Sequence, residues 1–188
     1  MNVSSPEPTA QAFPDILVRD VRGADMETIQ GIYSHHVLHG YSSFEEVPPD
    51  RDELSARCAE ILKRGLPYIV AERRGEIVGY AYAGQYRVRS AYRYTIEDSV
   101  YVDRNSLRQG IGRTLLRVLI ERCRTLGYRQ MIAVIGDAGQ SSSVAAHMAM
   151  GFEQVGRLPS IGYKLGRWVD IVLMQRALGP GGTTPPEP

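Results

Sequence analysis

The stretch Val100 to Leu116, "VYVDRNSLRQGIGRTLL", decides how the rest of the chain is read. Its β-branched and aromatic opening, Val100-Tyr101-Val102, favours a strand. A polar run follows, then Gly110-Ile111-Gly112, then leucines at helical spacing. The pattern is a strand, a loop and a helix N-terminus. Such a terminus leaves backbone N–H groups unpaired and carries partial positive charge. Glycines let an anion approach the backbone closely, and Arg108 and Arg113 add full charges. The loop therefore suits a phosphate or pyrophosphate; an ordinary strand-to-helix turn is the alternative. Two phosphate motifs fail. A dinucleotide fingerprint needs a third glycine where Leu115 stands. A Walker loop needs lysine where Gly112-Arg113-Thr114 has arginine.

Working outward, residues 16–21 read as a first strand. Residues 25–38 carry Met26, Ile29, Tyr33 and Val37 at helical spacing. Pro48 and Pro49 close the loop that follows, and Asp50 caps a second helix that Gly65 ends. The runs "PYIVAERR" and "EIVGYAYAGQY" flank Gly75 and read as a hairpin. Residues 92–102 read as a long strand and 113–126 as the helix after the glycine loop. A short buried strand at 129–135, a helix at Ser141 to Met150, and two final strands, "FEQVGRL" and "WVDIVLMQRAL", complete the chain. This is a mixed α/β domain. Strands joined through a helix should be parallel with a right-handed crossover.

At 188 residues the chain is long enough for one domain with a proper core, expected over 15–178. Residues 1–14 and 179–188 are rich in residues that bury little and are expected to be disordered tails. A net charge of +1 gives no broad basic field for nucleic acid. No apolar run reaches the length of a bilayer span, and the N-terminus lacks the features of a secretory signal. Cys58 and Cys123 make no disulfide framework and no metal spacing. A cytoplasmic location and no metal are the expectations.

The run Leu107-Arg108-Gln109-Gly110-Ile111-Gly112 resembles the signature Arg/Gln-x-x-Gly-x-Gly/Ala of the GCN5-related N-acetyltransferases, with Leu107 departing from it. The segments "FEEVPP", "YAYAG", "AYRYTIEDSVYV", "QMIAVIGD", "SVAAHMAMGF" and "VGRLPSIGYKLGRWVDIVLMQR" are similar to the phosphinothricin and methionine sulfoximine acetyltransferases of that family. The resemblance implies the acyl-CoA N-acyltransferase fold. That fold is a mixed sheet of about seven strands split into a V and flanked by about four helices. It also implies acetyl-CoA as cosubstrate, a small amino-acid analogue as the amine, and a homodimer.

Acetyl transfer to an amine requires a bound thioester, a neutral amine, a stabilised oxyanion and a protonated leaving thiol. Glu97 and Asp98 are adjacent in the strand before the loop, so alternation puts them on opposite faces. Spacing does not choose between them; the resemblance points to Glu97 as general base. It assigns Val100, Tyr101 and Val102 to the pantetheine-binding edge, where backbone groups bind the arm like an added strand. The Val100 N–H becomes an oxyanion donor. Arg108, Gln109, Gly110, Ile111, Gly112 and Arg113 form the pyrophosphate loop. Gln140 stands where the family usually has a cofactor-contacting Asn. His147 is expected to protonate the thiolate or contact the cofactor. Arg87, Val88, Arg89 and Tyr92, with Glu97, Asp98 and Ser99, are placed around the substrate, and Phe44 and Glu45 at the lid. Arg87 or Arg89 is the expected reader of a carboxylate. Two rival functions share these residues: acetylation of another amine, and a coenzyme-A sensor without turnover, which would have no need of a base at Glu97.

Overall fold

The structure, a computed structural model, describes residues 15–137 and 142–186. The strands are β1 (Leu17–Asp20), β2 (Tyr68–Arg73), β3 (Glu76–Gln85), β4 (Thr95–Val102), β5 (Gln130–Asp137), β6 (Glu153–Lys164) and β7 (Arg167–Ala177). The helices are α1 (Met26–His39), α2 (Arg51–Lys63), α3 (Ile111–Thr125) and α4 (Ser142–Ala149). The sheet order is β1-β2-β3-β4-β5-β7-β6. Every neighbouring pair is antiparallel except β4 and β5, which α3 joins as a parallel crossover.

That parallel pair is short. Only Thr95, Ile96 and Glu97 pair with β5, opposite Gln130, Met131 and Ile132. Beyond them β4 stays with β3, while β5 turns to β7 and pairs with it as far as Asp170. The sheet therefore opens as a V whose apex is Glu97 and Ile132.

Each face has its own core. Ile69, Ala71, Ala81, Ala83 and Ile96 pack under the apolar stripe of α3, Leu115, Leu116, Leu119 and Cys123. On the other face Tyr68, Val70, Tyr80 and Tyr101 pack under Ile29, Tyr33 and Val37 of α1 and Leu54 and Cys58 of α2. The rings of Tyr68, Tyr80 and Tyr101 stack across three adjacent strands at 5.8 and 5.1 Å. Asp50 caps α2 by accepting from the Glu53 N–H at 2.8 Å, as its position before the apolar stripe predicts.

Three boundaries differ from the sequence reading. Residues Ser90–Tyr92 form a 3-10 turn, so β4 begins at Thr95. α3 begins at Ile111, because Gly110 enters the helix in the left-handed conformation, at φ 77°. β6 runs on to Lys164, because Pro159 and Ser160 form a bulge instead of ending the strand. The C-terminal segment also differs from the expected disordered tail. Residues 179–186 form turns and bends, and Arg129 donates to Gly181 O at 2.9 Å and Thr184 O at 2.6 Å. Residues 1–14 lie outside the described residues.

Candidate active site

The site lies along the open side of β4. In this strand alternate residues turn their backbone groups to alternate sides. The Asp103 N–H donates to Val78 O, and Arg129 N–H donates to Tyr94 O. Odd-numbered residues thus face β3, and even-numbered ones face the β5 side. Past the apex, the backbone groups of Val100 and Val102 look into the V instead of onto a partner strand. His36 on α1 donates from Nε2 to Val102 O at 2.9 Å. Burial pushes that ring's pKa down, against the pull of the carbonyl, so His36 is held neutral.

The glycine loop stands beside this edge. A Cβ added at Gly112 would lie 3.5 Å from Val102 Cγ2 and 3.9 Å from Val100 Cγ1. The first backbone bond of α3 runs from Thr114 N–H to Gly110 O, and no side chain caps the helix. The N–H groups of Ile111, Gly112 and Arg113 precede that bond and lack intrahelical partners. Arg108 and Arg113 are exposed beside them, Arg108 itself at φ 58°. Gln109 accepts from Arg73 and donates to Asn105 O, which braces the loop against the β2–β3 turn. Leu107 is 51% exposed and fills no core position. Unpaired helix N–H groups, two arginines and a row of outward strand amides fit the pyrophosphate and the amide-bearing arm of acetyl-CoA.

Glu97 sits at the apex, on the face that carries α1 and α2. Burial pushes its carboxyl above the usual carboxylate range; the charge of Asp98 adds to this and that of Arg87 works against it. Arg87 lies over the Tyr86 ring at 5.0 Å, and Tyr92 packs edge-on to Tyr86 at 5.7 Å. Arg87, Val88, Arg89 and Tyr92 are all exposed at this rim. Ser99 shares the Glu97 face and stands opposite Tyr82 of β3.

The loop between α1 and α2 roofs the same face. Ser43 Oγ and Tyr33 Oη share a hydrogen bond of 2.9 Å. The buried Lys164 of β6 donates to Ser43 O. Phe44 lies on Gly136 of β5 and Gly162 of β6, where any added Cβ would collide with the loop. Glu45 is paired with Arg57 at 2.7 Å. One loop thus touches both arms of the V on the face that carries Glu97.

Asp98 and His147 are not on this side. Asp98, 7% exposed, turns to the α3 face, where its Oδ2 is 3.0 Å from His147 Nε2. His147 Nδ1 donates to Ser143 O at 2.7 Å. The ring is 4% exposed and packs edge-on against Phe152. Burial works against its charge, but the hydrogen bond and charge of Asp98, with the Ser143 carbonyl, outweigh it and raise its pKa. Among the expected site residues, then, the structure gathers Glu97, Ser99, Phe44 and the Arg87 loop on one face, and sets Asp98 and His147 apart on the other. Gln140 lies outside the described residues. Sequence reasoning missed His36, Ser43 and Lys164. None of the three carries a local signal: His36 looks like an ordinary helix residue, Ser43 like a loop residue, and Lys164 lies beyond the expected end of its strand.

Among the described residues no group of three or more His, Cys, Asp and Glu could hold a metal, and no helix is long and apolar enough to cross a membrane. A sheet opened at a parallel pair, with a glycine-entered helix beside the open edge, is an arrangement suited to an acyl-coenzyme-A-binding transferase. The family model described as "Acetyltransferase (GNAT) domain" matches residues 18–173. The chain belongs to this family of acetyl-CoA-dependent N-acetyltransferases. It is 57% identical over 170 residues to the phosphinothricin N-acetyltransferase of Alcaligenes faecalis, covering 90% of this chain and 86% of that one. It is 37% identical over 169 residues to the L-methionine sulfoximine/L-methionine sulfone acetyltransferase of Pseudomonas paraeruginosa, covering 89% and 98%. The crystal structure of a phosphinothricin acetyltransferase from Sinorhizobium meliloti in complex with AcCoA superposes with a TM-score of 0.89 at 45% identity, covering 92% and 94%.

Proposed function

We propose that the chain moves the acetyl group of acetyl-CoA to the amino group of phosphinothricin, methionine sulfoximine or methionine sulfone, with Glu97 as general base. The observation that carries this reading is the position of Glu97. It is a partly buried carboxyl at the apex of the V, on the same face as the roof loop and beside the first outward backbone groups of β4. Burial lifts its affinity for a proton toward what a base near neutral pH requires. The names of the relatives support the amine class.

Acetyl-CoA supplies an activated acyl carbon and a thiolate leaving group. The chain's own groups do the rest. Ile111, Gly112 and Arg113 N–H groups, with Arg108 and Arg113, hold the pyrophosphate. Val100 N–H, directed into the V, donates to the carbonyl oxygen as charge develops there. Arg87 or Arg89 takes the α-carboxylate of the amine substrate. Glu97 accepts the proton lost by the attacking nitrogen, directly or through one water. The C–N bond forms, the C–S bond breaks, and the departing sulfur leaves with a proton from solvent. We further infer a homodimer, supported by the family resemblance, and a cytoplasmic location.

Thiol release measured with a panel of amines tests the reading. Phosphinothricin, methionine sulfoximine and methionine sulfone should be turned over, while polyamines and peptide N-termini should not. Glu97→Gln should lower kcat by about 10²–10⁴-fold. Turnover near the wild-type rate in Glu97→Gln would remove the base, and coenzyme binding without thiol release on any amine would favour a sensor.

A further inference from the structure

Both ring nitrogens of His147 are committed. A carbonyl oxygen only accepts, so Nδ1 carries a proton toward Ser143 O at 2.7 Å. The 3.0 Å contact between Nε2 and Asp98 Oδ2 also needs a proton between its atoms. Burial opposes charge on the ring, but the hydrogen bond and charge of Asp98 outweigh it and raise the ring's proton affinity, so we assign that proton to the ring. His147 is thus an imidazolium in a buried ion pair, the side chains 5% and 2% exposed. Asp98 is the immediate neighbour of Glu97, on the opposite face of the same strand. Its charge acts on Glu97 through a sheet one residue thick.

We propose that His147 is a positioning residue for the base: locked to Asp98, it offsets part of the negative charge that stands next to Glu97, and it is not the acid that reprotonates the coenzyme thiolate. The proposal rests on the reading of Glu97 as base. The ion pair is formed across the V, from β4 on one arm to α4 on the other. It therefore also fixes the height of β4 against the helix that follows β5. The other titratable groups around the two carboxylates are few. Arg87 of the loop after β3 acts on Glu97, and the charge of Glu97 in turn acts on Tyr82 of β3. Cys123 of α3 faces Asp98; burial first, and Asp98's charge second, push its thiol up to about 12, so it stays neutral. His147 is the cation that this carboxylate meets at hydrogen-bond distance.

The test is the pH dependence of kcat/KM in three variants, with the amine substrate held the same so that its own titration is common to all. His147→Gln keeps an amide donor for Asp98 but removes the positive charge. The acid limb should move up by on the order of one pH unit, with the plateau rate kept within a few-fold. Combining it with Asp98→Asn removes both charges and should bring the limb back to its wild-type position or below it. A plateau lowered a hundred-fold or more in His147→Gln, with the acid limb unmoved, would identify His147 as the thiolate acid and overturn the proposal. An unmoved limb with an unmoved plateau would overturn it as well. Glu97→Gln separates this from the parent reading. If that variant keeps its activity, the base assignment fails; if it is inactive and the His147→Gln limb stays put, only the present proposal fails. Should His147→Gln not fold, the wild-type ring still reports. Its ¹⁵N shifts should show both nitrogens protonated at pH 7, and a neutral ring there would refute the ion pair.

Discussion

Lys164 of β6 donates a hydrogen bond to the carbonyl of Ser43, 121 residues earlier in the chain. The same serine bonds through Oγ to Tyr33 on α1. Ser43 therefore ties the roof loop to both arms of the V at once. Lys164→Met keeps the length of the side chain and leaves a buried carbonyl without its donor, at a cost of about 1–3 kcal/mol. Chemical denaturation should show that loss. The KM for the amine should rise while the KM for acetyl-CoA stays near wild type, because the loop roofs the amine side only. An equal rise in both constants would mean that the loop does not act on the amine side alone.

Gly162→Ala attacks the roof from below. The new Cβ would overlap the Phe44 ring, which also lies on Gly136. Overpacking of this kind costs about 1–3 kcal/mol. Phe44 should be expelled, with a raised amine KM and increased protease sensitivity in the loop at 40–47. Unchanged kinetics would show that Phe44 takes no part in covering the amine.

The glycine loop separates stability from coenzyme binding. Gly110 sits at φ 77°, so Gly110→Ala should destabilise by about 1–2 kcal/mol. Gly112 lies in the first turn of α3, where an added Cβ meets only ordinary contacts, at 3.5 Å and beyond. Gly112→Ala should leave Tm unchanged or slightly raised, since alanine suits a helix better than glycine. Its methyl group would stand between the helix N-terminus and the β4 edge, so the KM for acetyl-CoA should rise several-fold. A Gly112→Ala enzyme with normal coenzyme affinity would place the pyrophosphate elsewhere.

The buried ion pair also sets a trend of stability with pH. The His147 pKa is raised on folding. A raised pKa contributes stability that is fully present below the unfolded value, about 6.5, and is lost as pH rises through the folded value. Wild-type stability measured by denaturant titration should therefore fall from pH 6.5 upward relative to His147→Gln, which lacks this group. Parallel curves for the two proteins would mean that the ring does not change its proton affinity on folding.

How much of this was legible in the sequence depends on the range of the interaction. The strand, loop and helix from Val100 to Leu116 were readable, because β-branching, glycine and helical spacing are local signals. The placement of Glu97 and Asp98 on opposite faces followed from strand alternation alone. The pairing of Asp98 with His147 did not, since 49 residues separate them and no local pattern joins them. Lys164 was missed because lysine is ordinarily an exposed residue; only packing under the roof loop buries it. The end of β6 was misplaced because Pro159 and Ser160 look like a turn and act as a bulge. Arg129 shows the same limit at the C-terminus, where long-range hydrogen bonds order a segment whose composition gives no reason to expect it.

The divergence of β4 from β5 after three residue pairs has a consequence of a different kind. It gives the molecule a bare strand margin in its interior, besides the two at the rims of the sheet. Such margins invite stray strands from other chains. With the cosubstrate as its proposed occupant, ligand supply should govern both turnover and colloidal behaviour. Acetyl-CoA or free coenzyme A should protect the enzyme from heat-induced clumping in proportion to its saturation, and starved of thioester, the protein should be at its most sticky.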